Sequence, residues 1–378
     1  MKKSALLAIV VLCLAVSTGV LGFMYSTKGD KTAEEAAPMV QIGVMTNKWA
    51  ASAHGDSSSE AFRHWDEDEK GEVPVACAKC HSSAGMQDYL GADGTAAMTV
   101  DKPAKVGSVV DCSACHNEVI QNTTSVVFPS GKEVAAEPSY ASCWTCHQGT
   151  EAGINGSLDQ KIGSTAPDDK GENLGFVNPH YLNVAGIYLG SEANAGYQYE
   201  GKTYAARFEH ASGVQTCTEC HDPHSLHLAD PGLEKCSTCH AEVETWPDQQ
   251  KIRRTKEDLD GDGNTDESTY EEINGLLERE LQAMVTYSVD VAKAQIGNSD
   301  VYPYWFADKN GNGNQEEDEK QYADWTPRLM YAAYNFKLVK TSAGYIHNPT
   351  YSAQLLIDSI SDLAAGDSAI TVDGIERP

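Results

Sequence analysis

The chain has 378 residues, enough for one large or two ordinary domains, and carries 55 acidic against 28 basic side chains for a formal net charge of −27. Charge of that size and sign excludes nucleic acid as a partner, disfavours anionic membrane surfaces and favours basic or cationic partners. Apolar residues make up 41%, a modest supply for burying a core over this length.

In chain order, residues 1–25 come first. Lys2 and Lys3 form a basic start, and no further charge appears before Lys28. This is an export signal, with two outcomes left open. Cleavage can follow Ser17 or Gly22, or the apolar run stays as an N-terminal membrane anchor, since it approaches bilayer-spanning length. Cys13 follows Leu12, which is too large for a lipoprotein signal. Residues 26–45 read as a polar linker.

From about residue 46 to residue 250 the chain is rich in Gly, Ser, Asp and Thr. It repeats one pentapeptide five times: Cys77-Ala-Lys-Cys80-His81, Cys112-Ser-Ala-Cys115-His116, Cys143-Trp-Thr-Cys146-His147, Cys217-Thr-Glu-Cys220-His221 and Cys236-Ser-Thr-Cys239-His240. C-x-x-C-H is the attachment pattern of a c-type haem. Two thiols add across the vinyl groups, and the adjacent His reaches the iron as axial ligand. Zinc Cys₄ sites need paired C-x-x-C units without a systematic trailing His. The five motifs use ten of the 11 Cys, and Cys13 is the remainder. Five haem c groups are therefore expected.

Short helices around each motif, joined by irregular loops, are the natural reading. The first three motifs are about 30 residues apart, and a 69-residue stretch, Gln148 to Thr216, precedes the fourth. Only 14 residues separate His221 from Cys236, which holds the last two sites close together. Porphyrins supply apolar area that the protein lacks, so the apoprotein is expected to be largely unfolded over its first two thirds. The negative field favours ferric iron and lowers haem potentials; the same acidity also serves solubility in a salty exterior.

Each iron has a second axial position. Of 12 His, seven lie outside the motifs. His54, His64, His180, His210, His224 and His347 are candidate distal ligands, and His227 is the weakest. His224 follows His221 by three residues and would serve a neighbouring haem. His347 is the only His beyond residue 240 and opens the last helix.

Residues 251–378 change character. Glu271 to Lys293 carries Ile273, Leu276, Leu277, Leu281 and Met284 at helical spacing. Further helices are expected across Trp325 to Val339 and Pro349 to Ala365. Two acidic loops resemble the EF-hand pattern. In the second, Asp308, Asn310, Asn312, Asn314, Glu316 and Glu319 fall at the ligand positions, with Gly313 at the sharp turn. In the first, Asp258, Asp260, Asp262, Asn264 and Asp266 begin equally well. Position 12 there is Thr269, so Glu267 or Glu271 has to close the loop. One or two calcium ions with a structural role are expected.

These residues resemble bacterial exported multihaem c-type cytochromes. The haem region is similar to the broad lineage of the nitrifier tetrahaem cytochrome, hydroxylamine oxidoreductase and pentahaem nitrite reductase. The resemblance rests on Trp49-x-x-x-x-His54, HWDED at 64–68, CAKCHSS at 77–83, NPHYL at 178–182, CTECHDPHSL at 217–226, WTPRLMYAAYNF at 325–336 and HNPTYSAQLLIDSI at 347–360. It covers most of the chain beyond the leader.

The resemblance implies a mainly α protein with extensive irregular loops. A five-haem array would be closed by the C-terminal helical region. It implies electron transfer in the periplasm or outside the cell, between redox donor and acceptor proteins or an extracellular acceptor. Two other readings stand beside it: a reductase of a small nitrogen or sulfur substrate with one open haem, and a subunit of a cytochrome filament. The chain lacks the C-x-x-C-K of the nitrite reductases, so nitrite reduction is not implied.

Overall fold

The computed structural model describes residues 41–378 apart from 155, 212–213, 229 and 254–255. The signal or anchor at 1–25 and most of the linker therefore lie outside the described residues. Residues 41–50 are helical, so regular structure begins inside the stretch expected as linker.

Each motif sits on or at the end of a short helix: Val75–His81, Cys112–Cys115, Pro138–Cys146, Cys217–Cys220 and Asp230–Cys239. Local chemistry starts several of them. Asp111 accepts from the Ser113 N–H at 2.8 Å, and Pro138 opens its helix without leaving an unpaired donor. The Glu219 carboxylate reaches back to the Gln215 and Thr216 N–H groups at 2.6 and 2.8 Å. The first motif helix packs so tightly on its successor, Ser83–Leu90, that a Cβ on Gly85 would lie 2.1 Å from the Ala78 carbonyl oxygen.

Among the described residues, three two-stranded antiparallel sheets, Glu72–Val73 with Ala104–Lys105, Ser125–Val127 with Glu133–Ala135, and Ile296–Asn298 with Trp305–Ala307, were not anticipated. Each strand is two or three residues long, too short for an alternating pattern to stand out.

The C-terminal region is three packed helices, Thr269–Asp290, Pro327–Thr341 and Pro349–Gly366. All three expected helices are present. Ser268 and Glu271 form a capping box at the first, and Thr326 and Asn348 cap the other two ahead of Pro327 and Pro349. Their core includes Trp305, Trp325, Tyr287, Tyr334 and Leu355. It also takes in Leu158, Ile162, Leu174, Ile187 and Ala195 from the long connection between the third and fourth motifs. Arg328 fastens that connection through Asp168 (2.8 Å) while also pairing with Asp362. A smaller core around Trp144, Phe128, Tyr140 and Leu189 supports the haem region.

Candidate haem-binding cavity

The Cys and His residues of all five motifs line one continuous cavity of 3120 Å³. All ten of its cysteines are free thiols.

The rings face each other in pairs across this space. His81 and His180 have ring centroids 5.9 Å apart. His116 faces His224 at 6.2 Å, His147 faces His54 at 6.1 Å, and His240 faces His210 at 6.3 Å. Two metal–nitrogen bonds of about 2 Å and two ring radii of about 1 Å span about 6 Å. Hydrogen-bonded imidazoles would stand closer, and unrelated ones need not match at all. The donor set fits iron held between two imidazoles. His221 is the remaining motif residue, and His347 lies within electrostatic reach of it and of His147.

Hydrogen bonds fix which nitrogen is free. His81 Nδ1–H donates to the Ala61 carbonyl at 2.7 Å, His147 to Leu182 at 3.3 Å and His221 to Leu226 at 3.0 Å. His347 donates to Ser342 at 2.7 Å. A donating Nδ1 leaves Nε2 as a lone-pair donor, the form a metal-binding imidazole takes. Burial, with His147 alongside, holds the His54 pKa at about 4. Burial likewise lowers His81, His147, His180, His210 and His347. These rings are neutral at pH 7, which ligation requires.

The fold delivers the non-motif histidines by local devices. Trp49 Nε1–H donates to the Val110 carbonyl at 2.8 Å, and the Val110 N–H donates to the His54 carbonyl at 3.2 Å. His54 is thereby tied to the segment before the second motif. Asp222 accepts from the His224 and Ser225 N–H groups at 3.0 and 2.8 Å and pairs with Lys48 at 2.6 Å. That turn directs His224 away from its own motif and toward His116. His180 has a left-handed backbone (φ +72°), held by the Asn178 side chain accepting from its N–H at 3.0 Å. Ala343 is also left-handed (φ +47°) just before the His347 turn. Such positions cost about 1–3 kcal/mol for a non-glycine residue and cluster where a side chain must be aimed.

Two histidines stand outside the pairs. His64 is largely exposed, with Nδ1 2.9 Å from Glu60 Oε1 and its ring on Trp65. His227 is exposed. Sequence alone named every ring in the four pairs, and His221 and His347 besides, but did not match them, because partners such as His54 and His147 lie far apart in the chain.

The two acidic loops wind alike. Asp258 accepts from the Gly261 and Gly263 N–H groups at 2.7 and 2.8 Å. Asp308 accepts from Gly311 and Gly313 at 2.7 and 2.9 Å. Alternate side chains Asp260, Asp262 and Asn264 continue the first turn, and Asn310 and Asn312 continue the second. In the second, Glu316 and Glu319 fold inward: Glu316 accepts from the Asn310 and Asn312 amides, and Glu319 from the Lys309 N–H at 2.8 Å.

In the first loop the carboxylates that converge are Asp258 and Asp260 with Glu272, and Asp260 and Asp262 with Glu267. Glu271 serves the helix cap instead. Asp266 is exposed. The sequence reading missed Glu272, which lies one turn into the helix beyond the twelve-residue frame. One oxygen each of Glu267 and Glu272 is buried without a hydrogen bond.

The chain is similar to the C-type polyheme cytochromes OmcB and OmcC of Geobacter sulfurreducens. It is 25% identical to OmcB over 86% of this chain and 49% of the relative, and 26% identical to OmcC over 82% and 45%. It spans about half the length of the curated relatives it matches. No family model and no solved structure matches. The likeness supports a multihaem c-type cytochrome and electron transfer in general.

Proposed function

We propose that the chain is an exported five-haem c-type cytochrome that carries electrons between redox partners in the periplasm or outside the cell. The observation that carries this reading is the facing of His81, His116, His147 and His240 with four non-motif histidines at iron-spanning distance. The fifth site pairs His221 with His347. Each haem supplies a one-electron ferric–ferrous couple when bound.

The protein's part is to hold both axial imidazoles, fix their tautomers and wall the groups with apolar side chains. Two imidazoles per iron leave no position for a substrate, which favours a carrier over a small-substrate reductase. Residues 46–250, with the long connection between the third and fourth motifs, carry the array, and the C-terminal helices close it through His347. Residues 1–25 direct export, as a cleaved signal or as a membrane anchor.

The count is tested by intact mass of the denatured protein. Five covalently attached haems are expected; a mass accounting for four or fewer overturns it. Low-temperature EPR tests the ligation, with low-spin signals expected to account for every haem.

Calcium in the two acidic loops is part of the same proposal. A hard cation among Asp258, Asp260, Asp262, Glu267 and Glu272, and another among Asp308, Asn310, Asn312, Glu316 and Glu319, would offset crowded negative charge and pin the ends of the C-terminal helices. Chelation is expected to lower the thermal midpoint by several degrees. Glu272→Gln is expected to remove part of that response. An unchanged melting curve on chelation would mean that the loops bind nothing.

A further inference from the structure

We infer that the third attachment site, Cys143, Cys146 and His147, is the junction of a branched array in which the first, second and fourth sites all meet it. This rests on the five-haem reading. The chain order alone suggests a line, with each site beside its sequence neighbours. Contacts among the attachment residues give another order.

The first and third sites touch directly. Cys80 Sγ lies 3.7 Å from the Cys146 carbonyl oxygen, and Cys146 Sγ lies 3.8 Å from the Lys79 carbonyl oxygen. At its other cysteine the third site meets the fourth, where Cys143 and Cys217 pack against the same apolar core. The helices Pro138–Cys146 and Cys217–Cys220 pack together. The second site joins on the same helix: Glu118–Gln121, just after His116, packs on Pro138–Cys146, and Ala114 of the second motif shares a core with Ala141 and Trp144. His147 and His221 are also within reach of each other. The fifth site, on Asp230–Cys239, packs on the fourth-site helix.

Thioether sulfurs sit on the porphyrin edge, so touching cysteines bring two haem edges together. Three sites converge on one nine-residue helix, Pro138–Cys146. That helix is also well anchored: Trp144 and Thr145 are buried, and the Tyr140 ring packs on Trp144 at 4.7 Å. An array of this form has three ends, at the first, second and fifth sites, so it can serve more than one acceptor.

The test compares two ligand variants by potentiometric titration followed by visible and EPR spectra. His54→Met alters the third site, and His210→Met the fifth. A methionine ligand raises the midpoint of its own haem. Haems beside it then titrate with a reduced neighbour and shift downward. His54→Met is expected to move three other haems, and His210→Met one. Two moved haems with His54→Met would restore the linear order and overturn the junction.

If either variant fails to mature, partial reduction of the unaltered protein gives the same count. Reducing the junction haem should change the EPR line shape of three others, and a change in only two overturns the proposal. A haem mass other than five would sink the underlying reading instead, so the two failures are distinguishable.

Discussion

Translated without haem attachment, the chain is expected to lose the ordered structure of residues 60–147 and 208–246 while keeping the three C-terminal helices. The attachment residues surround a cavity of 3120 Å³. Held open and dry, that volume would cost about 75 kcal/mol at about 24 cal/mol per Å³. Water takes much of it, since the cavity opens to solvent. Even a fifth of that cost matches the whole stability of a typical domain, about 5–15 kcal/mol. The motif helices cannot offset it: Cys112–Cys115 and Cys217–Cys220 are single turns, below the length at which a helix stands alone.

The C-terminal core has no such debt. Trp305, Trp325, Tyr287, Tyr334 and Leu355 are fully buried in it. Hydrogen exchange on cytoplasmically expressed protein would check this. Protection should persist in Thr269–Asp290, Pro327–Thr341 and Pro349–Gly366 and vanish in Val75–His81 and Pro138–Cys146. Equal protection in both groups would mean that the protein part folds without its cofactor.

How much of this was legible beforehand follows from where each signal lies. The five attachment motifs are contiguous in sequence and chemically specific, so they were read directly. The long C-terminal helices carry caps and apolar periodicity within one window, and their observed ends differ from the expected ones by a few residues. Ring pairing was not legible, because His54 with His147, or His210 with His240, depends on how loops close over long separations. Glu272 was missed for a related reason: it reaches the first acidic loop from the following helix, while the loop pattern counts only twelve consecutive residues. The contact of Cys80 with Cys146 has no sequence signature at all. It follows from the close approach of the ends of Val75–His81 and Pro138–Cys146, which lie far apart in the chain.

Replacing His347 by Ala is expected to convert one haem of five to a high-spin or exogenously ligated state and to leave the haem count unchanged. His347 sits past a left-handed Ala343, on a four-residue turn that packs against Val184–Leu189 in the haem region. Asn348 locks the turn from the next position, donating to the carbonyls of Ala206 (2.9 Å) and Tyr188 (3.3 Å). Nδ1 is satisfied by the Ser342 carbonyl, which leaves Nε2 for a partner. Backbone strain at Ala343 costs about 1–3 kcal/mol. Iron opposite His221 would supply the compensating bond and would tie the C-terminal helices to the haem region. EPR of the variant, with and without added imidazole, separates the outcomes. A new high-spin signal that imidazole restores to low spin assigns His347 to one iron. Low-spin signals that still account for all five haems without added ligand would reduce His347 to a hydrogen-bonded residue of the turn.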